Sequence, residues 1–88
     1  MQYVISDHAR FEMKRRAIGE DIVQSILRSP EQRIDVRPGR IVLQSRVVVG
    51  TDEREYLVRV FVDIDRAPAE VVTVHRTSKI DKYWRLQS

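Results

Sequence analysis

The chain has 88 residues, and its 16 Lys and Arg against 13 Asp and Glu give a formal net charge of +3 at pH 7. A chain this short supports one modest core, so we expect residues 1–88 to form a single domain. It contains no cysteine, which excludes disulfides and thiolate metal sites. No segment approaches the ~20 apolar residues of a membrane-spanning helix, and the N-terminus lacks the features of a signal peptide. We therefore expect a cytoplasmic protein without membrane contact.

The first predicted element is a helix that begins near Asp7 and ends near Ala17. Ser6 and Asp7 predict its start, because a short side-chain oxygen accepts hydrogen bonds from the free amides of a first helical turn. Ala9, Met13 and Ala17 recur at four-residue spacing and form its predicted buried stripe.

A second, shorter helix is predicted after Gly19, which ends the first helix and caps the next. Ser29 and Pro30 end it, because a residue before proline is pushed out of helical geometry. Its predicted buried positions are Ile22, Val23, Ile26 and Leu27.

Beyond Pro30 the hydrophobic period changes to two and β-branched residues dominate, which predicts strands. The predicted strands cover residues 34–36, 40–49, 55–64 and 70–77, and a short helix over residues 79–86 follows. Short loops favour an antiparallel meander. The predicted fold class is α+β: two N-terminal helices on one face of a mainly antiparallel sheet of about four strands, with a short C-terminal helix.

Cationic side chains cluster at both ends of the chain, as nucleic-acid binding requires. The first cluster contains Arg10, Lys14, Arg15 and Arg16; the second contains Arg76, Lys79, Lys82 and Arg85 beside Tyr83 and Trp84. From these clusters and the neighbouring histidine we predict RNA or phosphate contacts by His8, Arg15, Arg16, Lys79, Lys82 and Tyr83. For either cluster taken alone, Lys and Arg that simply solvate a helix face are the preferred explanation.

The two histidines, His8 and His75, are the candidates for acid/base catalysis, since imidazole titrates near neutral pH. A structural role explains each of them equally well. Two histidines so far apart make no metal motif, so no metal and no cofactor are expected. RNA cleavage through its own 2′-hydroxyl needs a base, an acid and cations around the phosphorus. The predicted catalytic residues are His75, Arg76 and Arg59.

Strand parity decides which of these side chains share a face of the sheet. On the strand over residues 55–64, Arg59 faces away from the apolar row that contains Val58 and Val60. If Val72 and Val74 face the core, then His75 lies on the open face with Arg59. The alternative parity buries His75 and exposes Arg76.

Two stretches resemble a widespread bacterial family of small domains of unknown function. The first stretch, residues 6–18 (SDHARFEMKRRAI), is similar to that family's His-Ala…Met…Arg-Gly-Ile opening. The second stretch, residues 71–78 (VVTVHRTS), is similar to the family's closing strand, which usually reads Val-Val-Thr-Val-Tyr-Arg. The matching residues are His8, Met13, Arg16, Ile18, Thr73, Arg76 and Thr77. Two positions depart from the pattern: Ala17 replaces a glycine, which argues against a left-handed turn there, and His75 replaces an aromatic hydroxyl.

That family is similar in architecture to RelE/ParE-like and BrnT-like toxins, so the resemblance implies a toxin-like sheet and an antitoxin partner. The leading hypothesis is a toxin-like RNase that cleaves mRNA or RNA at the ribosome. The alternatives are a non-catalytic module of the same fold that binds RNA or protein, and a domain that works through protein contacts alone, as a homodimer along a sheet edge.

Overall fold

A five-stranded sheet with two helices on one face forms the body of the protein, in a computed structural model that describes residues 2–86. In chain order the elements are β1 Tyr3–Ile5, α1 Asp7–Arg15, α2 Glu20–Arg28, β2 Gln32–Arg37, β3 Arg40–Val49, β4 Arg54–Asp63, β5 Ala69–Thr77 and α3 Ile80–Tyr83. The strand order across the sheet is β1-β5-β4-β3-β2. β1 pairs with β5 in parallel, and the other neighbours are antiparallel.

The predicted fold class is therefore wrong in two respects. The sheet has five strands and is mixed, whereas about four mainly antiparallel strands were predicted, and a strand precedes the first helix. The predicted C-terminal helix over residues 79–86 is a single turn, Ile80–Tyr83. The missed strand, β1, has three residues and pairs with a strand more than sixty positions later, so local periodicity carries little information about it.

The core lies between the two N-terminal helices and one face of the sheet, which we call the helix face. α1 packs along β5, and α2 packs over β3 and β4. The core residues from the helices and their loop are Ala9, Met13, Ile18, Val23, Ile26 and Leu27, and those from the sheet are Ile41, Leu43, Val58, Val60, Val62, Ala69, Val71 and Val74. The buried stripe predicted for α2 is confirmed at Val23, Ile26 and Leu27, with Ile22 packed partly buried beside them.

Ser6 fixes the start of α1 against the sheet. Its hydroxyl accepts a hydrogen bond from the Ala9 amide at 3.0 Å and donates one to the Val72 carbonyl at 3.3 Å. Its own amide donates to the Val71 carbonyl at 3.0 Å. The predicted helix start at Asp7 is confirmed, and the same residue that caps the helix also joins it to β5.

A β-bulge in β5 corrects the predicted parity of that strand. Phe61 pairs with Thr73 but Val62 pairs with Val71, so Val72 is the extra residue. Val71 and Val74 consequently face the core, whereas one of the two alternative parities had Val72 and Val74 there. Beyond the bulge His75 pairs with Arg59, as in that alternative.

The end of α1 is a left-handed turn at Ala17, whose φ is 54°. The Ile18 amide donates to the Met13 carbonyl at 2.8 Å and the Ala17 amide to the Lys14 carbonyl at 3.2 Å, the paired bonds of a Schellman motif. The expectation that alanine argues against a left-handed turn is wrong. The two hydrogen bonds and the burial of Met13 and Ile18 hold the turn despite the steric cost of a Cβ.

Ala17→Gly should therefore raise the free energy of unfolding by about 1 kcal/mol, because glycine adopts this φ without the Cβ clash. Urea denaturation followed by circular dichroism measures it. The matched control is Lys14→Gly inside α1, which should lower the free energy of unfolding by about 1 kcal/mol. A destabilised Ala17→Gly protein would contradict the strained turn.

Candidate functional site

Four polar side chains form a row across the sheet. The strand register places Gln32 opposite Gln44, Gln44 opposite Arg59, and Arg59 opposite His75. Residues directly opposite in antiparallel strands share a face. This face lies behind the apolar core and carries α3, so we call it the α3 face. Arg59 and His75, two predicted catalytic residues, are therefore direct cross-strand neighbours.

α3 brings an aromatic ring over this row. The Thr77 hydroxyl accepts a hydrogen bond from the Lys79 amide at 3.0 Å, which turns the chain at the end of β5. The Arg59 guanidinium carbon lies 4.4 Å from the Tyr83 ring centroid and 5.1 Å from that of Phe61. The rings of His75 and Tyr83 meet edge to face, with centroids 5.9 Å apart. Arg59, His75 and Tyr83 thus form one contiguous cluster.

The fully buried amide of Gln44 holds this cluster in place. Its Nε2 donates to the Gln32 Oε1 at 2.8 Å and to the Tyr83 carbonyl at 3.2 Å. Its Oε1 accepts a hydrogen bond from the Arg59 Nε at 2.9 Å. Sequence reasoning missed Gln44, although one polar residue after the apolar run Ile41–Leu43 is the kind of signal that marks a buried polar contact.

The polar atoms of the cluster without a hydrogen-bond partner in the described chain are not fully buried. Within residues 2–86, no buried side-chain nitrogen or oxygen lacks a hydrogen-bond partner. Over the same residues, Arg59 uses only its Nε in a side-chain hydrogen bond, and His75 uses neither ring nitrogen. The Nη groups of Arg59 and the imidazole nitrogens of His75 are therefore at least partly exposed, on two half-buried side chains.

Burial and neighbouring cations keep His75 neutral near pH 7. Burial lowers the pKa of His75 below its usual 6.5, and the positive charges of Arg16 and Arg59 lower it further. Burial also lowers the pKa of Arg59, although a guanidinium stays charged at any physiological pH. The cluster consequently pairs an available base with a fixed cation.

Arg16, directly after α1, acts on His75 through its positive charge. Its Nε donates to the Glu12 Oε2 at 2.9 Å, and the same oxygen accepts from the Arg15 Nη2 at 2.8 Å. These two arginines lower the pKa of Glu12, so the carboxylate stays charged. Glu12 thereby restrains Arg16 where its charge reaches His75.

The other predicted residues fall into two groups. Lys82 joins the cluster, with its Nζ 5.4 Å from the Tyr83 ring centroid. His8 and Lys79 are exposed outside the row, and Arg15 is exposed in its ion pair with Glu12. Arg76 leaves β5 on the helix face, where its guanidinium carbon lies 4.8 Å from the Tyr56 ring centroid. The structure therefore separates Arg76 from His75 and Arg59, with which it was grouped as catalytic.

Replacing the buried amide should weaken the fold. Gln44→Met keeps the volume but leaves the Arg59 Nε without its acceptor, so we expect a loss of about 1–3 kcal/mol in the free energy of unfolding. Urea denaturation measures it, and Gln24→Met on the exposed surface of α2 should stay within about 0.5 kcal/mol of wild type. Equal stability of the two variants would show that the Gln44 hydrogen bonds contribute nothing.

The lowered pKa of His75 also predicts how stability depends on pH. The unfolded chain binds a proton near pH 6.5 that the folded chain does not, so the free energy of unfolding should fall as the pH drops below about 6.5. The lowered carboxylate pKa values act in a separate window, below their usual 4.5. The midpoints of urea denaturation, measured between pH 7.5 and about 5, should show this loss of stability. His75→Gln should make the stability depend less on pH over the same range. A His8→Gln curve as flat as that of His75→Gln would contradict the assignment.

Within residues 2–86, no three His, Cys, Asp or Glu side chains form a group that could hold a metal ion. None of the helices in the same range has the length and apolar character needed to span a bilayer.

Comparison with known proteins places the chain in a family. The profile of a family described as a domain of unknown function (DUF4258) matches residues 5–76, which include His8, Arg16, Arg59 and His75. No curated protein and no solved structure matches. The predicted membership in a family of unknown function is thus confirmed, whereas the likeness to RelE/ParE-like and BrnT-like toxins and the opening motif gain no support. The profile covers most of the chain, and the protein belongs to this family of domains of unknown function (DUF4258).

Proposed function

We propose that the protein is an endoribonuclease that binds single-stranded RNA on the α3 face and cleaves it with His75 and Arg59. One observation carries the proposal: the strand register sets a neutral, accessible imidazole directly opposite a fixed guanidinium, with the Tyr83 ring beside both. Cleavage through the 2′-hydroxyl requires a base, an acid and a cation at the phosphorus, and we assign these roles to His75, the Tyr83 phenol and Arg59.

In this mechanism His75 accepts the proton of the ribose 2′-hydroxyl. The 2′-oxygen attacks the neighbouring phosphorus, and the bond from phosphorus to the 5′-oxygen breaks. The products are a 2′,3′-cyclic phosphate and a 5′-hydroxyl, whose proton the Tyr83 phenol supplies. Protonated His75 then releases its proton to water and Tyr83 takes one up from water, so both groups return to their starting states. The free Nη groups of Arg59 stabilise the negative charge that develops on the phosphorane oxygens.

Further cations around the cluster favour an RNA ligand. Lys82 is exposed beside Tyr83, and Arg16 is half-buried with only its Nε engaged by Glu12 in the described chain. Each cation that neutralises a phosphate releases counterions and adds affinity. The Tyr83 ring offers an aromatic surface on which a base can stack.

The biological role that we propose is that of a cytoplasmic toxin whose targets are mRNA or RNA at the ribosome, held inactive by a cognate antitoxin protein. This part of the proposal is supported by the resemblance of the opening and closing stretches to a family that is similar to such toxins. In this role the antitoxin covers the α3 face and blocks the RNA site.

One observation favours a second candidate, a non-catalytic RNA-binding module. Arg59 is held between two aromatic rings and bonded to Gln44, as in a guanidinium that positions a base without chemistry. In this case the protein binds RNA and releases it uncleaved.

Cleavage of a fluorogenic single-stranded RNA tests the two candidates. We expect kcat/KM to rise with pH and level off by pH 7, with a midpoint below 6.5, because only neutral His75 accepts the proton. His75→Ala should lower the rate by about 100- to 10,000-fold and remove this dependence. His8→Ala, which alters a histidine outside the cluster, should match wild type.

If the wild-type protein binds the RNA and leaves it uncleaved, the nuclease is ruled out and the binding module is supported. Equal rates for wild type and His75→Ala would rule out His75 as the base. Growth arrest on expression, relieved by His75→Ala, is the result expected of a toxin.

A further inference from the structure

A second group of cations and an aromatic ring lies on the helix face, behind the proposed nuclease site. The Tyr56 ring centroid is 4.8 Å from the guanidinium carbon of Arg76 and 5.8 Å from that of Arg54. Arg54 and Tyr56 are two residues apart on β4, and Arg76 pairs with Val58 on the same face. The three side chains therefore form one cluster, contributed by two neighbouring strands.

These guanidinium groups are free to bind an anion. Within residues 2–86, neither Arg54 nor Arg76 forms a salt bridge, whereas Arg10, Arg40 and Arg46 each pair with a carboxylate. Arg33 also lacks a carboxylate partner in that range, but it lies over no aromatic ring there. Two unpaired guanidinium groups beside one tyrosine distinguish this cluster from ordinary surface arginines.

Within residues 2–86, the acidic neighbours of Arg54 form no ion pair with its guanidinium, and the Asp52 Oδ1 accepts a hydrogen bond from the Arg54 backbone amide at 3.3 Å. Glu55, between Arg54 and Tyr56, leaves the strand on the opposite face, where its negative charge acts on Arg46. Arg54 is exposed, and Tyr56 and Arg76 are half-buried, so a ligand can reach all three.

The cluster lies back to back with the α3 face. His75 and Arg76 are consecutive on β5 and point to opposite faces, as do their partners Arg59 and Val58 on β4. β5 ends at Thr77, and the exposed residues Ser78 and Lys79 follow. The C-terminal end of β5 therefore separates the two faces, and Lys79 lies beside this end.

We infer that Arg54, Tyr56 and Arg76 form a second nucleotide subsite, to which single-stranded RNA bound at the α3 face continues past Thr77 and Lys79. A base stacks on Tyr56, and the two guanidinium groups bind the adjoining phosphates. The inference rests on the proposed function, since it extends the same RNA. It gives Arg76 a binding role in place of the predicted catalytic one.

Fluorescence anisotropy with two 2′-O-methyl RNAs, a trinucleotide and a dodecamer, tests the inference, because neither RNA can be cleaved through a 2′-hydroxyl. Arg54→Gln and Arg76→Gln should each weaken dodecamer binding by about tenfold and leave the trinucleotide affinity unchanged. Each should also reduce the slope of log K against log salt by about 0.7 for every phosphate that is no longer neutralised. Tyr56→Leu should weaken the dodecamer by about 5- to 150-fold, the range for a base that no longer stacks on an aromatic ring.

The matched control is Arg33→Gln, which removes one unpaired strand arginine outside both sites and should leave both affinities unchanged. Arg59→Gln should weaken the binding of both RNAs. Thermal melting checks the fold of each variant. Arg54→Gln should keep the wild-type stability, because it alters an exposed side chain at the first residue of β4.

Three outcomes would overturn the inference. If Arg54→Gln and Arg76→Gln leave the dodecamer affinity at the wild-type value while Arg59→Gln weakens both RNAs, the second subsite is wrong and the proposed function stands. If the two variants weaken the trinucleotide as much as the dodecamer, there is one site. If wild type binds neither RNA, the proposed function and the second subsite are both wrong.

Discussion

The buried amide of Gln44 is the constraint on which the candidate site depends. An amide without access to water must form its hydrogen bonds inside the protein, because an unmade bond there costs about 1–3 kcal/mol. Gln44 forms three, to a side chain of β2, a side chain of β4 and the backbone of α3. The single-turn helix has no buried residue of its own, so polar and aromatic contacts attach it to the sheet. They are the Gln44 bond to the Tyr83 carbonyl, the aromatic contacts of Tyr83, and the contacts of the next residues, Trp84 with Arg46 and Arg85 with Gln32.

β5 divides the candidate functional residues between two faces. It pairs with β1 and β4 and packs against α1, so its position is fixed from three directions. The bulge at Val72 precedes Thr73, and beyond it the strand alternates regularly. His75 therefore faces Arg59 while Arg76 faces Tyr56. One strand thus supplies a neutral base to one face and a free cation to the other.

Local pattern predicted the elements that local interactions form. α2 and the strands β3 and β4 follow their hydrophobic periods, and Ser6 and Gly19 mark helix starts that the structure retains. β1, the bulge at Val72 and the turn at Ala17 depend on partners distant in the chain or on contacts that outweigh an unfavourable φ. In the site, the alternation along β4 and β5 left two parities open, and the register of β4 with β5 decides between them by pairing Arg59 with His75. The roles of Gln44 and Tyr56 required the register between strands, which no single segment contains.

The packing of Arg59 bears on whether this site binds or catalyses. A guanidinium in water must be desolvated and oriented before it stabilises a phosphorane, whereas Arg59 is already fixed by Gln44 and by the rings of Phe61 and Tyr83. The partial burial that lowers its pKa also reduces the screening of its charge by water. A preorganised charge in such surroundings stabilises a developing negative charge with little reorganisation. The Nη groups, which form no side-chain hydrogen bond within residues 2–86, are the atoms through which such stabilisation acts in the proposed nuclease. The same fixed guanidinium also suits the binding module, so the packing of Arg59 supports both candidates and the cleavage experiment separates them.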